Sequence, residues 1–271
     1  MKKVLLLGGR GLVGRHIHKV LKEDYDVVIT SGHHKLEKGY TLDVSDLDLL
    51  NKILEDENPD IVISSLGGDF EMQLVFHEKL ANWIKDNKRR FIYISTANVF
   101  DNDKTSPWTE IKEPDPESEY GIFKRDCEKL VQGIVPEVAI FRLCAVWAED
   151  ANRLQWLLDS SANKTPAFSL TNDQINITYA DQIGWYAKYV LDHDLKGIFH
   201  VGSKDLVDWH AFNVKVWEAL DIKDVTFNIN TMEGKNYQAV IPGRKEITDS
   251  LQITVEEILQ KLKENYQNVN V

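Results

Sequence analysis

The chain opens with a short apolar run at residues 4–7, bounded on one side by glycines, which predicts a buried strand. From Leu12 the spacing turns helical, with Leu12, Val13, Ile17, Val20 and Leu21 recurring on one face. A second strand is expected at 26–30. Ser45 is placed to cap a helix carrying Leu47, Leu49, Leu50, Ile53 and Leu54. Residues 61–65 read as another apolar strand, entered through Asn58-Pro59-Asp60, and a helix follows at 73–85. A strand at 91–95 gives way to a polar, proline-containing stretch, 97–117, which reads as a loop. Helix resumes from Ser118, and the next strand is 138–143. Strands alternating with helices imply a parallel sheet with right-handed crossovers. Continuous apolar strands imply that both faces of that sheet are covered. The expected fold class is therefore α/β, a Rossmann-like doubly wound parallel sheet. Ligands of such sheets bind at the carboxyl ends of the strands.

After Leu143 the rhythm loosens. Residues 147–171 mix a short amphipathic helix with loop; 180–191 read as helix, 197–201 as strand and 208–220 as helix. Thr254-Val255-Glu256-Glu257 is a capping box that opens a last helix. These segments predict a smaller substrate lobe, 146–171 and 204–271, over the edge of a main domain made of 1–145 and segments near 172–203. Charge then narrows the partners. With 32 Lys and Arg against 43 Asp and Glu, the net charge of −11 has the wrong sign for a general nucleic-acid binder. An anionic ligand must therefore be held by local groups. No apolar run is long enough to cross a membrane. The apolar start is too short for a signal peptide, and a glycine turn stands where cleavage would fall. Cys127 and Cys144 form neither a metal-ligand spacing nor a disulfide framework. A cytoplasmic, metal-free protein is expected.

The first strand runs into Gly8-Gly9-Arg10-Gly11-Leu12-Val13-Gly14, where a helix begins. Glycines permit a tight turn and let backbone N–H groups approach a pyrophosphate at the helix N-terminus. Gly9-x-Gly11-x-x-Gly14 matches the general dinucleotide fingerprint, and Gly8-x-x-Gly11-x-x-Gly14 matches the short-chain dehydrogenase variant. An acidic residue at the end of the second strand would read the ribose of NAD. Here that strand runs through Thr30-Ser31-Gly32-His33-His34-Lys35 without a carboxylate. Arg10, Ser31, His33 and Lys35 are placed to gather around a 2′-phosphate, favouring NADP over NAD. Asp43 lies where an adenine amino group is met. Leu66 and Gly67, after the strand at 61–65, are expected against the same cofactor.

Tyr120 and Lys124 stand at i and i+4, on one helix face. Thr96 sits just past the strand at 91–95. An ammonium next to a phenol favours the phenolate. Tyr120 is therefore expected with a lowered pKa, giving a proton to a substrate carbonyl as hydride arrives from the nicotinamide. Lys124 would bond the nicotinamide ribose, and Thr96 would hold the carbonyl oxygen.

These residues, together with Tyr93-Ile94-Ser95-Thr96-Ala97-Asn98-Val99-Phe100-Asp101 and Pro107-Trp108-Thr109-Glu110, resemble the extended short-chain dehydrogenase/reductases. The dTDP-4-dehydrorhamnose reductase branch is the most similar. The loop with Arg10 also resembles that of GDP-fucose synthases, which implies NADP. The resemblance implies reduction of a nucleotide-sugar carbonyl and, by analogy, a homodimer paired through helices of the sheet domain. The chain departs from the pattern at Ala97, where the reductases carry Asp and the dehydratases Asp-Glu, which argues against dehydration. It departs again at Val146-Trp147-Ala148, in place of Tyr-Gly-Pro. Asn98, Trp147 and Arg153 are expected on the substrate, Trp108, Trp147 and Trp156 lie in segments expected near the mouth, and Arg153 and Arg244 are placed to meet a diphosphate. Two other functions compete: an NAD-dependent epimerase of the same family, and a non-catalytic NADP-sensing regulator, against which the presence of Tyr120 argues.

Overall fold

The computed structural model describes residues 1–33 and 35–269. In chain order, β1 (Lys3–Leu7) leads to α1 (Leu12–Leu21), β2 (Asp26–Ser31), β3 (Tyr40–Thr41), α2 (Leu47–Glu57), β4 (Ile61–Ser64) and α3 (Phe70–Asp86). These are followed by β5 (Arg90–Thr96), α4 (Glu119–Ile134), β6 (Ala139–Leu143), β7 (Ala145–Trp147), α5 (Asn152–Ala162) and β8 (Ala167–Ile175). The chain ends with β9 (Ile177–Tyr179), α6 (Ala180–Asp192), β10 (Gly197–Val201), β11 (Val207–Asp208), α7 (Trp209–Ala219), β12 (Phe227–Gln238) and α8 (Val255–Val269).

Seven strands pair in the order β10-β6-β5-β4-β1-β2-β3, every pair parallel. The chain winds outward from β1 to β3, then returns to β4 on the other side of β1. The switch point falls between β1 and β4, where Leu7 pairs with Ser64, and the crevice beyond it is the place such sheets bind ligands. Alternation along β1 explains the unbroken apolar run. Val4 and Leu6 enter one core with Ile17, Ile183 and Tyr186 of α1 and α6. Leu5 and Leu7 enter another with Leu50, Phe76, Leu80 and Phe123 of α2, α3 and α4. A third cluster holds Trp147, Leu157, Ile175, Phe212, Ile258 and Leu262, around the small sheet β11-β8-β12 and helices α5, α7 and α8. Among the described residues, no helix is long and apolar enough to cross a membrane.

Two local expectations change. Ser45 does not cap α2; Asp46 does, accepting from Leu49 N at 2.9 Å, while the Ser45 hydroxyl turns back to Asp43 at 2.6 Å. The longer side chain one residue later reaches the orphan N–H. Part of the stretch read as loop is strand: β8 runs from Ala167, and it hides from pattern reading because its inward positions include the polar Ser169 and Asp173, both fully buried. The capping box at Thr254 is formed in both directions, Glu257 N to Thr254 Oγ1 at 3.2 Å and Thr254 N to Glu257 Oε2 at 2.7 Å.

Candidate active site

The glycine loop is set by backbone contact. Gly8 takes φ +77°, and a Cβ there would lie 2.7 Å from the Ser65 carbonyl oxygen. A Cβ on Gly14 would lie 2.2 Å from the Gly8 carbonyl oxygen, so α1 can start this close to β1 only with glycine. Gly11 is the N-cap of α1, and no side chain caps it. Leu12 and Val13, whose N–H groups open the helix, line the cavity. Gly67 has open space where a Cβ would stand. An uncapped helix start on this cavity, reached without a side chain at Gly8, Gly11 or Gly14, is a donor set that fits a diphosphate. At the end of β2 there is no carboxylate. Ser31 is buried there, while Arg10, His33, Lys35 and Asp43 are exposed, outside the lining of the cavity. Asp43 is held below the usual carboxylate range by the hydroxyl and N–H of Ser45.

The cavity, about 700 Å³, lies at the carboxyl ends of the strands and is lined by Thr96, Asn98, Tyr120, Lys124 and Leu66, among others. Several contacts fix the relation of α4 to β5. The Asp101 carboxylate accepts from Glu117 N at 2.6 Å and from the Ser118 hydroxyl. Ser118 in turn caps α4 by accepting from Gly121 N at 3.0 Å. Gly121 lets the helix press on the turn after β5, since a Cβ there would be 2.3 Å from the Asn98 carbonyl oxygen. Deeper in the core, Glu128 of α4 receives Arg142 of β6 at 2.6 Å and the Ser95 hydroxyl of β5. These ties set Tyr120 and Lys124 across from Thr96.

Lys124 is 6% exposed. Its Nζ donates to the Ile94 carbonyl at 3.0 Å and to the Tyr93 hydroxyl at 3.3 Å, and stands 6.0 Å from the centre of the Tyr120 ring. Burial pulls its pKa down to about 8, with Cys127 and Glu128 acting the other way. The expected acidic phenol is not what this geometry produces. Tyr120 is 40% exposed, yet burial raises its pKa from the ordinary value, and only a hydrogen bond with Thr96 opposes the rise. The amine is spent on Ile94 and Tyr93, too far from the phenol to offset desolvation. Tyr120 is therefore protonated at neutral pH, the form a proton donor needs. The Thr96 hydroxyl donates to Asn98 Oδ1 at 2.9 Å.

Arg153 reaches the cavity. Its guanidinium lies 5.7 Å from the Trp209 ring centre, and among the described residues it has no ion pair. Trp108 also lines the cavity. Trp147 does not: it is 3% exposed, edge-on to Phe212 at 5.1 Å inside the third cluster. It stands where its strand turns into that core, so the expected substrate contact becomes packing. Trp156 is exposed on α5 away from the lining. Arg244 is used up by the Lys196 and Ile198 carbonyls and by Glu246. Residues not foreseen are Cys144, Trp209 and the segment Tyr237–Ala239. Cys144 follows β6 and was open to the strand-end rule. Tyr237–Ala239 arrive through the pairing of β12 with β8, which leaves no local signal. The Cys144 thiol is pushed up to about 11 by burial and stays protonated.

The doubly wound sheet, its glycine turn and this strand-end cavity define an extended short-chain dehydrogenase/reductase. Residues 68–252 match the RmlD substrate binding domain, and the chain belongs to that family. It is similar to a probable low-salt glycan biosynthesis reductase of Haloferax volcanii, 25% identical over 88% of this chain and 86% of the relative. A solved dTDP-4-dehydrorhamnose reductase from Clostridium acetobutylicum superposes with a TM-score of 0.85 at 22% identity, over 98% of this chain and 99% of that one. Another from Bacillus anthracis, in complex with NADP, gives 0.84 at 17% identity over 98% and 99%.

Proposed function

We propose that the protein is an NADP-dependent oxidoreductase that reduces a carbonyl on a nucleotide sugar or a related small molecule. The observation that carries this is the convergence of Thr96, Tyr120 and Lys124 on one cavity that runs to the uncapped start of α1. The reductase names of the relatives, and NADP in the Bacillus anthracis structure, support the same reading. Gly8, Gly11, Leu12, Val13, Gly14, Leu66 and Gly67 would hold the diphosphate and nicotinamide half of the cofactor. Arg10, Ser31, His33 and Lys35 would meet the 2′-phosphate, and Asp43 the adenine. The cofactor, when bound, supplies the hydride.

In this reading Tyr120, kept protonated by its surroundings, delivers a proton to the carbonyl oxygen. Thr96 turns its hydroxyl proton from Asn98 Oδ1 to that oxygen, while Asn98 N still holds the threonine Oγ1 at 3.2 Å. Lys124 anchors the nicotinamide ribose. Arg153, beside the Trp209 ring and without an ion pair among the described residues, meets the anionic part of the substrate. The smaller assembly around β8 and β12 serves as the substrate lobe. Two free cysteines suit the reducing cytoplasm. A homodimer paired through α3 and α4 would cover Met72, Val75 and Ile122, which are 40%, 46% and 36% exposed.

Tyr120→Phe tests the assignment. NADPH oxidation with dTDP-4-dehydrorhamnose, or another ketosugar nucleotide that the wild type reduces, is expected to fall by about 10²–10⁴-fold, with NADPH affinity within a few-fold. Unchanged turnover would remove the phenol from the reaction.

A further inference from the structure

Asp173 is fully buried on β8, and neither carboxylate oxygen has a hydrogen-bond partner among the described residues. The rest of that face is satisfied. Ser169, two pairs along the strand, bonds His210 at 3.0 Å and Asn213 at 3.3 Å, both from α7. Buried carboxylates are ordinarily paired or hydrogen-bonded, and one left orphaned calls for a functional reason.

Its position supplies that reason. Side chains two apart on a strand share a face, so Asp173 lies on the side of β8 that also carries Ile175, a wall of the cavity. The residues paired with this end of β8 are Asn236, Tyr237 and Gln238 of β12, and the last two line the same cavity. The charged and titratable groups near it are Lys104, Asp208 at the start of α7, and the cavity-lining Cys144. The carboxylate thus lies on the Ile175 side of β8, near enough to the cavity-lining Cys144 to raise its pKa, one layer outside the lining itself.

We propose that Asp173 is a substrate-recognition residue whose two free oxygens accept hydrogen bonds from hydroxyl groups of the sugar ring. Binding draws the carboxylate to the cavity surface. This rests on the nucleotide-sugar reading above and names the part of the substrate that this end of the cavity reads. The residue keeps an uncompensated buried acid in the ligand-free protein, at a cost in stability, for a partner that arrives with the substrate.

The test compares wild type and Asp173→Asn by calorimetric titration with dTDP and with dTDP-rhamnose, beside NADPH affinity and thermal melting. The variant is expected to lose about 10- to 100-fold in affinity for dTDP-rhamnose, with dTDP and NADPH unchanged. Burial, with Asp208, holds the carboxyl up at about 6 against the opposing Lys104. Because this folded value is above the ordinary one, the acid destabilises the fold once pH exceeds its usual range. Asp173→Asn should therefore melt higher than wild type near pH 8, with the gain shrinking as pH falls below about 6 and gone only below the ordinary carboxylate value. Equal weakening of dTDP and dTDP-rhamnose, unchanged affinity for dTDP-rhamnose, or a lower melting point near pH 8 would each overturn the proposal. A wild type that binds NADPH but neither nucleotide ligand would instead overturn the nucleotide-sugar reading, and this inference with it.

Discussion

At the scale of single residues, the site depends on charge states that burial sets. Lys124 sits near 8 because burial disfavours its ammonium, while Tyr120 is raised. In the proposed reduction, Tyr120 stays protonated across the neutral range, so the first loss on raising pH belongs to Lys124. kcat/KM for NADPH-dependent reduction is expected to fall as pH passes about 8, and Lys124→Arg, which keeps its charge, should move that limb upward even at lower overall rate. A limb that stays in place in the variant would exclude Lys124 as its source. Arg10 offers a second residue-scale test. It is exposed beside the glycine loop with no carboxylate at the end of β2. Losing one charge-assisted phosphate contact is worth about 1.5–3 kcal/mol, so Arg10→Ala should weaken NADPH by about 10- to 100-fold and NADH by little. Equal losses would mean that the 2′-phosphate is read elsewhere. Thr96, Tyr120 and Lys124 were legible in the sequence because strand-end position and helical spacing are local properties. The phenol's upward shift was not, since it depends on the Lys124 amine being engaged by Ile94 and Tyr93.

At the scale of elements, α1 is fastened to its neighbours by one buried imidazole. His16 Nδ1 lies 2.5 Å from Asp181 of α6, and Nε2 lies 3.1 Å from Asp150 before α5. Lys19 also binds Asp181, and Arg15 binds Asp150. Both ring nitrogens can donate only in the imidazolium. Burial opposes that charge, but the two carboxylates outweigh it and raise the pKa above 6.5. Burial likewise opposes ionised Asp150 and Asp181, and their partners hold both below 3.8. The stability from His16 is therefore complete below its ordinary value and lost as pH rises through the folded one. That from the aspartates is complete above 3.8 and lost as pH falls through theirs. His16→Gln should cost about 3 kcal/mol near pH 6 and clearly less near pH 9, read as a denaturant midpoint at each pH. A cost independent of pH would reduce His16 to packing. Local pattern revealed α1, α2, α3, α4 and α6, whose apolar stripes face a covered sheet. It failed on β8 and β12, where Ser169 and Asp173 are buried while Phe168 and Ile229 are exposed. Ser169 is buried there because it bonds His210 and Asn213 of α7.

At the scale of the whole molecule, the parallel sheet order was open to reasoning because connection handedness and strand ends follow general rules. The second wall of the cavity was not, since Ile175, Trp209 and Tyr237 reach it through long-range pairing. The consequence is a cavity with unlike sides: an uncapped helix and glycine turn on the sheet, and on α5 the Arg153 guanidinium, with no ion pair among the described residues. The net charge of −11 opposes any phosphate-bearing ligand at long range, so selectivity has to come from those short-range donors. In the proposed reduction NADPH would bind the folded chain only, and at about 100 times its Kd such a ligand adds about 2.7 kcal/mol. For a chain of this size that raises Tm by about 5–10 °C. NADH at the same concentration should raise it much less, because the end of β2 offers its free ribose hydroxyl no carboxylate. Differential scanning fluorimetry at physiological ionic strength measures both. Equal shifts would assign the end of β2 to packing, and no shift at millimolar NADPH would withdraw the cofactor from the cavity altogether.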